Sequence, residues 1–170
     1  AVGQAAAQAK DQFYEYHVTP NVMVPMQDGV RIATDVYRPA RNGQPVQGRW
    51  PVVLFRIPYN KLQPRYIAQA RFFAEHGYVY VAQDVRGRFA SEGLYHPFGT
   101  ELSPDGYDAV VWASKQPWSN GSVATIGISY GGLTQITMGV EDPPGLAAQF
   151  VQQIWDKGWE NGMYVNGAFH

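Results

Sequence analysis

Residues 121–134, GSVATIGISYGGLT, decide how this chain reads. Val123, Ala124, Thr125 and Ile126 have the composition of a short buried strand. Gly127-Ile128-Ser129-Tyr130-Gly131 fits the pattern G-x-S-x-G, and residues 132–140 continue as a helix. Strand, tight turn and helix in that order form the context of a nucleophile elbow, in which a serine stands exposed on a strained turn. The glycines two positions either side of Ser129 are expected because a Cβ there would collide with the neighbouring strand or helix. The following helix aims its positive N-terminus at the serine. The N–H of Tyr130 is then one donor to a developing oxyanion.

The chain around this stretch has an ordinary globular balance. It has 170 residues, 45% hydrophobic and 16% charged, enough for one domain with a substantial core. A net charge of −1 with no basic stripe argues against a nucleic-acid partner. The absence of cysteine excludes disulfides, thiolate metal sites and a cysteine nucleophile. No apolar run approaches the roughly 20 residues needed to span a bilayer, so no membrane association is expected. Residues 1–10, AVGQAAAQAK, are small and polar and are expected to form a flexible tail. Their Ala-Gln-Ala resembles the A-x-A of a signal-peptide cleavage site, which points to a secreted or periplasmic protein as against a cytoplasmic one.

Taken in order, residues 13–26 predict an extended strand that Pro20 and Pro25 confine to an edge or split. Gln27-Asp28-Gly29 is a turn, and Val30, Ile32 and Asp35-Val36-Tyr37 return as the second strand of an antiparallel hairpin. Residues 38–50 read as a loop. PVVLFRI, residues 51–57, is a near-continuous apolar run of the kind buried on both faces, ended by Pro58-Tyr59-Asn60-Lys61. A helix follows from Pro64, with Tyr66, Ile67, Ala70, Phe73 and Ala74 on one face and Gly77 past its end. YVYVAQ, residues 78–83, is the next buried strand, and residues 84–93 form a polar loop. Ser103 is placed as the cap of a helix with Pro104 at its first position and Asp105 and Asp108 near its positive end. The expected apolar face of that helix is Tyr107, Val110, Val111 and Ser114. Residues 146–151 are expected to form a further strand. The result is an α/β fold: a mostly parallel, doubly wound sheet, covered on both faces, with an antiparallel hairpin at one edge. Ligands of such sheets bind at the carboxyl ends of strands, where Ser129 and Tyr59 both fall.

Several segments in this order carry a family resemblance: VPMQDGVRIATDVYRP, FRIPYNK, RFFAEHGYVYVAQDVRGRFASEG, DGYDAVVWASKQPWSNGSV and GISYGGLTQ. Over residues 22–135 the chain resembles the N-terminal part of the cocaine esterase, glutaryl-cephalosporin acylase and X-Pro dipeptidyl-peptidase group of α/β-hydrolases. The resemblance implies Ser129 as the acyl-forming nucleophile, with the Tyr130 N–H and the Tyr59 phenol as oxyanion donors. Read from its neighbours alone, Tyr59 is sooner an ordinary turn tyrosine packing on the surface than an oxyanion donor. No metal or organic cofactor is implied, and the expected partner is a small-molecule ester or amide. X-Pro dipeptidyl-peptidase-type cleavage is the alternative within the same group.

Hydrolases of this fold run serine, acid, histidine along the chain. Here the histidines are His17, His76, His96 and His170, and three of them precede Ser129. His76 and His96 read as surface or capping residues, while Asp142 and Asp156 follow the serine too closely to be the triad acid. The expectation is therefore an N-terminal part of a longer enzyme: residues 11–152 the front of the hydrolase domain, truncated before its last strands, and residues 153–170 the start of a helical cap. The base and its acid would come from beyond residue 170, and without them the chain is a catalytically incomplete fragment. Trp155 and Trp159, with Tyr164 and Phe169, line a substrate pocket from the cap or simply pack within it. An open sheet edge favours association with the remaining part or with a second copy. Asp84, Arg86, Arg88, Ser91 and Glu92 are expected to brace the elbow by hydrogen bonds.

Overall fold

The computed structural model describes residues 13–154, together with the backbone at 164–165 and 168–169. The expected tail over 1–10, and Trp155, Trp159, Asp156 and His170, lie outside the described residues. The elements are β1 (Glu15–Pro25), β2 (Arg31–Arg41), β3 (Gln44–Pro45), β4 (Trp50–Ile57), α1 (Pro64–Glu75), β5 (Val79–Asp84), α2 (Leu102–Ser114), β6 (Ser119–Ile128), α3 (Tyr130–Gly139), β7 (Leu146–Gln152), β8 (Tyr164–Val165) and β9 (Ala168–Phe169).

One seven-stranded sheet holds the molecule together, in the order β1-β2-β5-β4-β6-β7, with β3 paired to β2. β4, β5, β6 and β7 run parallel, and β1 and β2 add the antiparallel hairpin at one edge. Pro20 does not end β1. Instead the register with β2 shifts between Thr19 and Val22, a bulge that puts Asn21 at φ 51. β2 runs further than expected, because Asn42-Gly43 is a two-residue hairpin turn with both residues at positive φ (52 and 72). That turn returns the chain to pair Arg41 with Gln44 and Ala40 with Pro45, inside the segment read as loop.

Alternation along the strands assigns the two faces. Val36, Val52, Leu54, Val79, Val81 and Val123 point to the side covered by α2 and α3. Tyr37, Val53, Phe55, Ile57, Tyr80 and Ala82 point to the other side and meet Tyr66, Ala70 and Ala74 of α1. β4 and β5 thus bury both faces, which is why their sequences read as unbroken apolar runs. Among the described residues, coverage on both faces does not extend to β6 and β7. Ile126 pairs with Phe150 on the α1 side, and there Ile128 is 43% and Phe150 59% exposed among the described residues.

α2 corrects two expectations. Ser103 is not its cap: the helix starts one residue earlier, at Leu102, and the Ser103 hydroxyl donates to the Thr137 carbonyl and to Glu141. Its buried stripe is Leu102, Asp105, Gly106, Ala109, Val110 and Ala113, with only Val110 shared with the expected face. The turn of the stripe follows from what the helix meets. Gly106 lies against α3, where a Cβ would stand 2.6 Å from that of Met138, and Asp105 is buried to pair with Arg86. Beneath both helices the buried guanidinium of Arg56 donates to Gln83 Oε1 (2.8 Å) and to the Leu102 carbonyl (3.2 Å).

Candidate active site

Ser129 stands between the end of β6 and the first residue of α3, at φ 57 and ψ −122, and is exposed. A side-chain-bearing residue held there carries strain of about 1–3 kcal/mol, sustained by what surrounds it. Its N–H donates to the Gln152 carbonyl (3.0 Å), and its carbonyl accepts from Gly132 (2.7 Å) and Leu133 (3.0 Å). The strain is therefore clamped between β7 and the first turn of α3. At Gly127 a Cβ would lie 2.5 Å from the Gly131 carbonyl oxygen, a direct clash across the turn. At Gly131 the expectation of a clash is corrected: the nearest atom to a Cβ there is Ile57 Cγ2 at 3.4 Å. The tighter helix glycine is Gly132, 3.0 Å from the Gln152 carbonyl. Gln135 and Thr134 tie α3 down: the Gln135 side chain accepts from the Thr125 hydroxyl (2.8 Å) and donates to the Gly127 carbonyl (3.3 Å), and the Thr134 hydroxyl donates to the Arg56 carbonyl (3.1 Å).

Tyr59 follows β4, the neighbour of β6, by two residues, so it and Ser129 leave the same end of adjacent parallel strands. Its ring meets that of Tyr130 edge to face, centroids 6.4 Å apart at 73°. Tyr130 is buried with Val85 and Leu102, and Tyr95 and Phe98 pack on its other sides. Burial first, then the neighbouring Tyr95 hydroxyl, holds the Tyr130 phenol well above the usual range, so it stays neutral. The two residues expected as oxyanion donors are thus in mutual contact, the side chain of one packed on the side chain of the other. As the first residue of α3, Tyr130 has a backbone N–H with no intrahelical acceptor.

The loop that carries Tyr59 is pinned from below. Asn60 takes φ 75, and its side chain and backbone carbonyls accept the N–H groups of Leu62 and Gln63. Lys61 turns inward and is 2% exposed, with its ammonium 3.2 Å from Asp35 Oδ1 and 3.6 Å from Asp84 Oδ2. Burial pushes the Asp84 carboxyl up, against the pull of Lys61. Sequence reasoning missed Lys61, Asp35 and Asn21. The available signal was an ammonium beside an apolar strand, which has to find a carboxylate if it is buried.

The polar loop over 84–93 is a hydrogen-bonded brace, but among the described residues its partners are not those of the elbow. Arg86 pairs with Asp105 (2.5 Å) and Asp28 (2.6 Å), and Arg31 holds Glu92. Ser91 donates to the Asp84 carbonyl (2.7 Å) and accepts from the Ala33 N–H (2.9 Å). Arg88 reaches the site, donating from Nε to the Pro58 carbonyl (3.0 Å). The ring nitrogens of His17, His76 and His96 meet the Gly43 carbonyl, the Phe72 carbonyl and Glu101. Among the described residues no side chain hydrogen-bonds the Ser129 hydroxyl, and no helix is long and apolar enough to cross a membrane.

Comparisons with known proteins agree with this fold. The profile of a family described as X-Pro dipeptidyl-peptidase (S15 family) matches residues 28–170. The cocaine esterase of Rhodococcus sp. (strain MB1 Bresler) is 43% identical over 137 residues, which cover 78% of this chain and 23% of that protein. A CocE/NonD family hydrolase from Staphylococcus aureus superposes with a TM-score of 0.69 at 27% identity, over 78% of this chain and 26% of its own. An α-amino acid ester hydrolase does so with a TM-score of 0.68 at 31% identity, over 87% of this chain and 27% of its own. The chain therefore spans about a quarter of the length of the relatives it matches.

Proposed function

Since the chain belongs to the X-Pro dipeptidyl-peptidase (S15) family of α/β-hydrolases, we propose that it carries the nucleophile and oxyanion half of a serine hydrolase of carboxylic esters or amides. Ser129 Oγ, its proton taken by the base, attacks the substrate carbonyl, and the ester or amide bond breaks to release the protonated alcohol or amine and leave an acyl-enzyme. The negative charge that develops on the carbonyl oxygen is held by the Tyr130 N–H and the Tyr59 hydroxyl. Water then releases the acid. A histidine and its acid, which activate the serine in this fold, come from outside the described residues.

The observation that carries this reading is the backbone of Ser129, at φ 57 between a central strand and a helix N-terminus. Strain of that kind persists where exposing a side chain has a use. The Tyr59–Tyr130 ring contact supports the second donor by bringing the β4 loop to the elbow. An ester substrate is favoured by the 43% identity to a cocaine esterase, and the family's description keeps amide cleavage as the second reading.

Labelling the full-length protein with a fluorescent fluorophosphonate, wild type beside Ser129→Ala, tests the nucleophile. Labelling that disappears in Ser129→Ala supports it, and equal labelling of both proteins, or none of the folded wild type, removes it. Tyr59→Phe is expected to lower kcat by about 10²–10³-fold with a small change in KM, as for loss of one oxyanion donor. A kcat unchanged in Tyr59→Phe would leave the Tyr130 N–H needing another partner.

A further inference from the structure

Lys61 is enclosed, so it touches no ligand, yet it is charged and needs a reason to be where it is. Its ammonium sits between Asp35 Oδ1 (3.2 Å) and Asp84 Oδ2 (3.6 Å) and donates to Asn21 Oδ1 (2.9 Å). Its backbone N–H donates to Asp84 Oδ1 at 2.8 Å. The Asn21 N–H in turn donates to Asp35 Oδ1 at 2.8 Å, so the bulge in β1 delivers Asn21 to this cluster. Three strands, β1, β2 and β5, are fastened through one side chain. Burying charge is unfavourable unless every group is met, and a methionine would fill the same volume without that demand. Filling space therefore does not account for a lysine.

What the cluster holds is the chain two residues away. Tyr59 lies outside any strand, and its loop makes a left-handed turn at Asn60 before α1. Gln63 donates to the Tyr59 carbonyl and Arg88 to the Pro58 carbonyl, but both donors come from half-buried or loop residues. The tie to the sheet is Lys61, through both its N–H and its ammonium. We propose that Lys61, clamped between Asp35 and Asp84, is a positioning residue that holds the Tyr59 hydroxyl at the oxyanion distance from Ser129. The inference rests on the reading of Ser129 and Tyr59 given above. It adds a buried ionic clamp that acts on the rate through the tyrosine alone.

A double-mutant cycle on the full-length protein tests this, with p-nitrophenyl acetate as substrate and circular dichroism as the check on folding. Lys61→Met is expected to lower kcat by about 10²-fold, with KM within about threefold, as for an Å-scale displacement of a catalytic group. In a Tyr59→Phe background the same change should alter kcat by less than about twofold, because the group it positions has gone. If Lys61→Met fails to fold, Lys61→Met with Asp84→Asn replaces it. That pair removes one charge of each sign, and asparagine keeps an acceptor for the Lys61 N–H. Equal losses in the two backgrounds, or unfolding of both clamp variants, overturn the inference and make the cluster a support of the fold only. The hydrolase reading fails separately, if wild-type protein shows no Ser129-dependent fluorophosphonate labelling, and the inference falls with it.

Discussion

At Ser129 the chain leaves a strand and enters a helix within one residue, and a positive φ is how it does so. The two glycines that flank the serine are not equivalent in this geometry. Gly127→Ala places a Cβ 2.5 Å from backbone and should cost about 1–3 kcal/mol, as overpacking does. Gly131→Ala meets nothing nearer than a side-chain methyl at 3.4 Å in a helical position and should change stability by less than about 1 kcal/mol. Urea midpoints of the two variants check this, and equal losses would contradict it. The pattern G-x-S-x-G was legible because it is local: strand, turn and helix follow one another in sequence. Which glycine is indispensable was not, because that depends on where the first turn of α3 lies against β6. The same limit applied to Tyr59. Its place at a strand end was readable, and its contact with the Tyr130 ring was not.

Among the elements, strands were more legible than helix faces. β4 and β5 announced themselves because both of their faces are buried, so apolar residues run almost unbroken until Arg56 in β4 and Gln83-Asp84 at the end of β5. α2 did not, since its buried stripe includes Asp105 and Gly106, which no hydrophobic pattern marks. The loop over 84–93 was read as a brace, and its ion pairs have a sign that can be tested with pH. Arg31 holds the Glu92 carboxyl below its ordinary value of 4.5, and Arg86 holds Asp28 below 3.8. A carboxyl depressed on folding contributes stability that is present above the ordinary value and lost as pH falls through the lower folded one. Glu92→Gln should therefore lower Tm at pH 7, with the difference shrinking as pH is taken below 4.5. A Tm difference that stays constant across that range would mean Glu92 acts by packing alone.

For the whole molecule, the sheet is well covered in its middle and open toward β7. Among the described residues β7 pairs with β6 alone, and Ile128, Phe150 and Val151 are exposed on or near that edge. An apolar, unpaired strand of this kind templates association. The 170-residue chain by itself should sediment as more than a monomer, and Phe150→Lys should shift it toward monomer. A wild-type chain already monomeric at tens of micromolar would show that this face is covered. The sequence by itself determined the mostly parallel sheet, the antiparallel edge hairpin, the elbow and the family, because each is written in neighbouring residues or in segments that keep their order. Only the tertiary structure decided that Asn21, Asp35, Lys61 and Asp84 meet beneath the Tyr59 loop, that Tyr59 packs on Tyr130, and that among the described residues nothing covers one face of β6 and β7. Those contacts join residues up to 71 positions apart, from Tyr59 to Tyr130, and distance along the chain carries no record of which buried groups will become neighbours.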